Sequence, residues 1–526
     1  MRKSRQATIA VAIVVVAVIG SVMLLESAPR SRGTPDQVLA ASSPGAPALT
    51  DTGDARVGET GPDTAPAAGP AEGEVAGEER GGAEELEEQR ESTERRLEAL
   101  REAIAEGRFG TRQPITRDAA PGWIGERIVN VGTDDWEPAV AADPNGPHVY
   151  ILVTRYEELE SCQGHCPSPY IALEVSHDGG RTWSPGRPIC GCRGASGQFD
   201  PIIEVVPENG TVYALWMNDF NVVFSRSTDH GRTWSEPVAT YGRIAWNDKP
   251  TLTTSGDGRH VYVSWNGPTG GDPWVAVSHD RGGTWTQTRV VESRRYYFAF
   301  DSTVTPRGAV VFSESSLSYT APGGNAEGVV QHHAFVSEDH GATWQSVLVD
   351  EVELGEDCVA EGCSSDFYNG HTSVSADASG RLYFTYDGAP TPGGRQRIWL
   401  RTSENGGHSW SDRVRLSDAT EVATSPALEA SGRGDVRMWY MQTRGRNHDA
   451  WNVWYRRSTD GGTSWSAPVR ISDATSGAGY KTAAGFMEVY GDYGEIAITN
   501  QGETIAVWGE GFSWTGPGGA WWNRTR

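Results

Sequence analysis

Carboxylates recur at one kind of place in this chain, at the start of short β-prone runs. Asp200 in GQFDPIIEVV, Asp301 in FAFDSTVT and Asp492, beside Tyr493, in YGDYGEIAI are the candidates for catalysis. Two carboxyl groups converging on a sugar supply an acid and a base for glycosidic cleavage, and several carboxylate oxygens together hold a calcium ion. Tyr490 and Tyr493, near Glu488 and Asp492, add a tyrosine and carboxylate pairing. Glu137, Asp248, Lys249, His371 and Ser425 occupy the same kind of position, while Arg155, Arg243, Arg294, Arg295 and Arg444 could grip an anionic ligand through charge-assisted hydrogen bonds. The competing reading is structural, since acids on inner strands also bond the backbone of a neighbouring sheet.

A more conspicuous polar cluster must be separated from these. SHDGGRTW begins at Ser176 and variants of it begin at Ser227, Ser278, Ser337, Ser403 and Ser458, at intervals of 51, 51, 59, 66 and 55 residues. A unit of about 50 residues with four short strands is a propeller blade. Each unit reads as strand, glycine turn, strand, variable loop, third strand, octet and fourth strand. A seventh unit near the end has only three strands, and GERIVNVG, ahead of the first unit, is a spare. Leaving that edge open would be a liability. The expected fold is therefore all-β, a seven-bladed β-propeller closed by the early strand, with a six-bladed ring as the alternative.

In the first octet Ser176 and Asp178 can bond backbone donors in a tight turn, Gly180 permits a left-handed backbone and Trp183 can pack under the next sheet. The corresponding residues are Asp229 and Trp234, Asp280 and Trp285, Asp339 and Trp344, Asn405 and Trp410, and Asp460 and Trp465. Acids spread around a ring cannot meet at one substrate, and Asn405 can serve a turn but not proton transfer. The octets therefore lie on the inactive face. Strand direction puts the blade starts and the long variable loops on the opposite face.

The pattern S-x-D-x-G-x-[ST]-W is the Asp box, and its six copies make residues 118–526 resemble the sialidase-like, BNR/Asp-box propellers. The resemblance implies a carbohydrate-active or carbohydrate-binding protein. Sialidases in that group hold their substrate carboxylate with an arginine triad, the first member in an F/Y-R-I-P motif, and use a tyrosine nucleophile with a glutamate and an aspartate. Here Arg127 in ERIVNV lacks the proline, and blade starts carry acids where arginines are needed. Sialidase activity is accordingly not expected. The readings left open are glycan binding, an exo-sialidase or other glycoside hydrolase or lyase, and protein binding at the cell surface.

The flanking sequence sets the compartment. Arg2, Lys3 and Arg5 precede an uncharged run from Ala7 to Leu25, which as a helix spans about 28 Å, close to a bilayer core. Residues 1–28 read as a signal anchor, or as a signal peptide if cleaved, and place the rest outside the cytoplasm, membrane-anchored or secreted. Residues 29–82, rich in Pro, Ala, Gly and acids, read as a disordered linker. Residues 83–109 read as a charged helix, either a spacer or a short coiled coil. The net charge of −24 disfavours nucleic acid as a partner. Six cysteines, Cys162, Cys166, Cys190, Cys192, Cys358 and Cys363, suit disulfides in such a compartment. The first four allow cross-pairing between adjoining loops or a zinc site, and Cys358 with Cys363 a small local loop. No cofactor is required, though calcium in the acidic channel is a reading that the acids permit.

Overall fold

The computed structural model describes residues 72–107, 120–157, 166–267, 271–320, 325–356, 369–444, 447–472, 494–511 and 518–526. A helix, α1 (Glu72–Ala105), precedes a short strand, β1 (Arg127–Ile128). Blade 1 is β2 (Asp134–Ala142), β3 (Val149–Tyr156), β4 (Tyr170–Ser176) and β5 (Arg187–Pro188). Blade 2 is β6 (Gln198–Val205), β7 (Val212–Asn218), β8 (Asn221–Ser227) and β9 (Val238–Ala239). Blade 3 is β10 (Asp248–Thr254), β11 (Val261–Asn266), β12 (Pro273–Ser278) and β13 (Thr286–Arg289). Blade 4 is β14 (Tyr296–Val304), β15 (Val310–Tyr319), β16 (Ala326–Ser337) and β17 (Gln345–Glu353). Blade 5 is β18 (Thr372–Ala376), β19 (Leu382–Gly388), β20 (Arg397–Ser403) and β21 (Val414–Arg415). Blade 6 is β22 (Ala423–Ser431), β23 (Asp435–Arg444), β24 (Asn447–Ser458) and β25 (Val469–Arg470). Blade 7 holds β26 (Glu495–Ile498), β27 (Thr504–Gly511) and β28 (Gly518–Arg524).

The early strand closes the ring, as the unit count requires. β1 pairs antiparallel with β28, Arg127 opposite Trp522 and Ile128 opposite Trp521, and becomes the fourth strand of blade 7. Middle strands such as β3 and β7 are apolar on both sides because they pack between neighbouring blades, so the core forms as patches at blade boundaries.

The octets do the turn work their residues suggest. Asp178 Oδ1 accepts from the Ser176 hydroxyl at 2.8 Å and from the amides of Arg181 and Thr182 at 2.9 and 2.8 Å, and its Oδ2 accepts from the Thr182 hydroxyl at 2.6 Å. Gly180 has φ +77°, and a Cβ there would stand 2.6 Å from Ile505 of blade 7. Trp183 lies edge-on to Trp522 at 5.5 Å across the same boundary. In the fifth copy Asn405 Oδ1 takes the Ser403 hydroxyl and the Ser409 amide, while its Nδ2 donates to the Ser409 hydroxyl, so the amide replaces the carboxylate without loss. The Thr233 hydroxyl and amide hold the Asp229 carboxyl down at about 2, unsuited to donating a proton.

Helix α1 begins at Glu72, inside the stretch that composition assigns to the linker, and ends at Ala105. It is docked on blade 1. The Arg96 guanidinium lies 3.7 Å from the centroid of the Trp136 ring and 4.7 Å from that of Tyr156, with an ion pair to Asp134 at 2.6 Å. Arg90 adds a hydrogen bond to the Ser196 hydroxyl at 2.8 Å.

Cross-pairing of the first four cysteines is not what forms. Cys190 is bonded to Cys192, and Cys166 is also disulfide-bonded. Oxidised pairs leave no thiolates for zinc. Cys162, Cys358 and Cys363 lie outside the described residues, as does the apolar run near the amino terminus. No helix among the described residues is long and apolar enough to cross a membrane.

Candidate functional site

Four blade starts share an unusual backbone. Glu137, Asp200, Lys249 and Ser425 have φ between +50° and +51°, each precedes a proline, and each sits at a register shift in its inner strand. A bulge with a left-handed residue re-aims its side chain, at an energetic cost that surrounding bonds must offset. All four side chains are buried. Those of Glu137, Asp200 and Lys249 turn sideways, toward neighbouring blades.

The bonds they make run round the ring. Glu137 of blade 1 accepts from the Thr154 hydroxyl at 3.0 Å and from the Asp200 amide of blade 2 at 3.1 Å. Asp200 then faces Lys249 of blade 3 at 3.7 Å. Thr251 and Ser302 hydroxyls, 3.2 Å apart, join blades 3 and 4. Asp301 of blade 4 accepts from the Ser373 hydroxyl and the Val374 amide of blade 5 at 2.6 and 3.0 Å. His371 Nδ1 stands 2.8 Å from Asp387, whose carboxylate also takes the Thr424 hydroxyl and the Ser425 amide of blade 6. Glu495 of blade 7 returns to the Val140 amide of blade 1 at 2.6 Å. Residues singled out as candidate catalysts and ligands thus act first as staples between blades.

The arginines are likewise not assembled into a clamp. Arg155 is buried and bound through two nitrogens to Asp135 at 2.8 and 2.9 Å, with Glu174 at 3.2 Å. Arg295 donates to the Ser316 and Ser318 hydroxyls and to the carbonyls of Ser316 and Val329. Arg243 and Arg294 are exposed on interblade loops. Asp248 is half-buried at the start of β10, opposite Asn266. The Arg444 side chain, Asp492 and Tyr493 lie outside the described residues.

On the axis lies a cavity of about 260 Å³, lined by Asp301, Glu204, Glu429 and Glu495 among the hydroxyls of Thr251, Thr253, Ser302, Thr303, Ser373 and Ser375. Sequence reading missed the three glutamates. Their signal was an acid interrupting an apolar strand: Glu204 in IIEVV and Glu429 in ALEAS are each the fourth residue after a left-handed blade start. Burial raises Asp301 to about 6, against the Ser373 hydroxyl that favours its charged form. Burial, then repulsion from Asp301, lifts Glu204 to about 8; burial and repulsion from Glu204 and Asp301 do the same for Glu429. Burial drives Glu495 well above the ordinary carboxylate range, although the Val140 amide opposes it. The cavity therefore offers protonated carboxyls, donors as well as acceptors, near neutral pH. Among the described residues no group of three ligating side chains converges as a metal ion would need.

These shifts fix a sign for stability. A carboxyl whose folded pKa stands above its unfolded value favours the folded state fully below about pH 4.5, and that contribution is lost as pH rises toward 8. The propeller should lose stability from about pH 5 to about pH 8.5. A Glu204→Gln, Glu429→Gln double variant should gain on the order of 1–3 kcal/mol at the upper end and nothing at the lower, a range discounted for partial exposure to the channel. Thermal melts across that range check it, and an unchanged slope would contradict the raised values.

Half-buried aromatic side chains stand at one sector of the mouth, on blade 4. Tyr296, Phe298 and Phe300 alternate along β14, with ring centroids 4.8 and 6.5 Å apart in succession, and Phe300 lies 5.4 Å from His371 at the cavity. Alternation aims Tyr296 and Phe298 the same way, and Phe300, at the register shift between Ala299 and Asp301, lines the cavity.

Residues 151–330 match the family described as the BNR repeat-like domain. The matched segment runs from blade 1 into blade 4 and carries Asp200, Lys249, Asp301 and the aromatic strip. No curated protein matches the chain significantly. Among solved structures, the chain is similar to a polysaccharide lyase, an ulvan lyase, at 11% identity over 78% of this chain and 95% of that one, with a TM-score of 0.45. A protein of unknown function from Dyadobacter fermentans is 14% identical over 77% of this chain and all of that one, TM-score 0.44. An intramolecular trans-sialidase from Ruminococcus gnavus is 13% identical over 78% and 97%, TM-score 0.39. Likeness this distant carries no argument about chemistry.

Proposed function

We propose that this chain is an extracytoplasmic, membrane-tethered propeller that binds carbohydrate at the mouth of its channel. The strip Tyr296, Phe298 and Phe300, leading to His371 and the hydroxyl-rich acidic cavity, carries the reading. A sugar ring has an apolar face of C–H groups and a rim of hydroxyls; aromatic rings take the first, and convergent carboxyl and hydroxyl groups the second. The commitments of Arg155 and Arg295 speak against sialic acid as the ligand. The cationic residues ahead of the Ala7–Leu25 apolar run support the tether.

The test is a glycan array probed with the full-length protein in detergent, with released reducing sugar measured on every bound glycan. Binding to at least one glycan class is expected, weakened about tenfold by Phe298→Ala, which corresponds to about 1.4 kcal/mol. A blank on all glycans would overturn the reading in favour of a cell-surface protein partner. Release of free sialic acid would overturn the exclusion of sialidase activity. Release of another sugar would make the protein a glycoside hydrolase or lyase, with Asp301 the first residue to replace.

A further inference from the structure

A second aromatic group stands on the mouth face, built differently from the strip on β14. Phe220, in the turn between β7 and β8, and Trp246, between β9 and β10, have φ of +58° and +62°. Bulky residues rarely adopt that conformation, and where they do the surroundings must hold them. Asn221 donates to the Asp219 carbonyl at 2.9 Å and accepts from the Trp246 amide at 3.3 Å. The Phe220 carbonyl accepts from the Asn247 amide at 2.7 Å, and the Asn247 side chain accepts from Val222 at 3.2 Å and donates to the Ile244 carbonyl at 2.7 Å. A Cβ on Gly267 would come within 2.4 Å of the Trp246 carbonyl oxygen, so only glycine admits that approach.

This bracing presents rings. Phe220 lies 5.7 Å from Phe199 at 24° and 6.0 Å from Trp246 at 34°, and Phe220 and Trp246 stay half-buried. The two-residue hairpin between Asn218 and Asn221 takes a left-handed residue at both Asp219 and Phe220, so the turn itself fixes Phe220, whose ring rests on the core at Phe199 and leaves its outer part at the surface. The two aromatic groups flank blade 3, because Phe220 and Trp246 belong to the blade 2 to blade 3 boundary and Tyr296 packs beside Gly271 at the boundary with blade 4.

We infer that the ligand is an oligosaccharide of neutral pyranosyl units laid across the mouth end of blade 3, with one unit on Phe220 and Trp246 and others on the Tyr296 to Phe300 strip. This rests on the carbohydrate reading above and extends it from a single sugar to a chain. Neutral units follow from the net charge of −24, which repels a polyanion, and from the protonated carboxyls of the cavity, which offer hydrogen bonds and not cations.

The experiment measures the affinity of the full-length protein for ladders of chitin, cellulose, mannan and galactan oligosaccharides, from one unit to six, by calorimetry. Affinity should rise with chain length and then level off. Phe220→Gly is the informative variant: glycine accepts the left-handed backbone, which offsets part of the packing lost on Phe199, so the hairpin is kept while the ring is lost. It should weaken the longest oligosaccharide about tenfold and leave the shortest one unchanged, whereas Trp246→Phe should stay near the wild type. Phe298→Ala should weaken both lengths. Equal affinity at all lengths, or an equal loss for short and long chains in Phe220→Gly, would overturn the extended site and leave carbohydrate binding intact. Absence of binding at every length would remove the carbohydrate reading itself.

Discussion

Replacing Asp387 with alanine is expected to destabilise the propeller by about 3–5 kcal/mol. Its carboxylate is fully buried and accepts from the amides of Gly370 and His371 at 2.8 and 3.1 Å, from His371 Nδ1 at 2.8 Å, and from Thr424 and Ser425 on blade 6. One side chain satisfies donors on both sides of a blade boundary. Alanine leaves those donors in a closed space without acceptors, and each buried unsatisfied donor costs about 1–3 kcal/mol. Asp387→Asn keeps the volume but turns an NH₂ group toward other donors, so its loss should approach that of alanine. Denaturant unfolding of both variants decides the point. A loss under about 1 kcal/mol would mean that the other links between blades 5 and 6, such as those from the Leu428 and Ala430 amides to the Ser373 and Ser375 hydroxyls, hold the boundary without Asp387.

The second large effect concerns Arg155. Its guanidinium neutralises Asp135 and Glu174 from a position 1% exposed, so Arg155→Ala strands two carboxyls in the interior and should also cost about 3–5 kcal/mol. The loss should depend on pH. Burial already lifts Glu174 to about 7 against the pull of Arg155, and without the arginine it rises further. A carboxyl with a raised folded pKa is tolerated while protonated, so the variant should be hurt more at about pH 8 than at about pH 5. Adding Glu174→Gln should recover part of the loss at high pH. Arg155→Lys should recover little, because an ammonium cannot reproduce the two-nitrogen grip on Asp135. An equal penalty at both pH values would show that packing, not charge, sets the role of Arg155.

Repetition made the fold readable. Six octets gave blade length and face, and the incomplete last unit together with the unused GERIVNVG run gave the closure now seen between β1 and β28. The site was less legible because the same sequence position carries different work in different blades. Glu137, Asp200 and Lys249 stand where a ligand group was expected, yet bulges turn them toward neighbouring blades. A bulge moves a side chain without leaving a residue type as its mark, other than the proline that follows. Glu204 and Glu429 reach the cavity from within apolar strands, where a lone acid looks like ordinary alternation, and Glu495 reaches it from the first residue of β26. Arg155 resembled a substrate clamp because its partners, Asp135 and Glu174, are distant in sequence and adjacent only across β2, β3 and β4. The bracing of Phe220 and Trp246 had no sequence signal beyond two asparagines in short turns.

The docking of α1 bears on how the ring answers a mechanical load. The strand that closes the circle, β1, is two residues long, and tension reaching it directly would peel one pair after another from β28. Arg96 lies upstream of β1 but is gripped by Trp136, Tyr156 and Asp134, all on strands of blade 1. A pull arriving through the helix is therefore taken up by a complete four-stranded sheet before it reaches the closure.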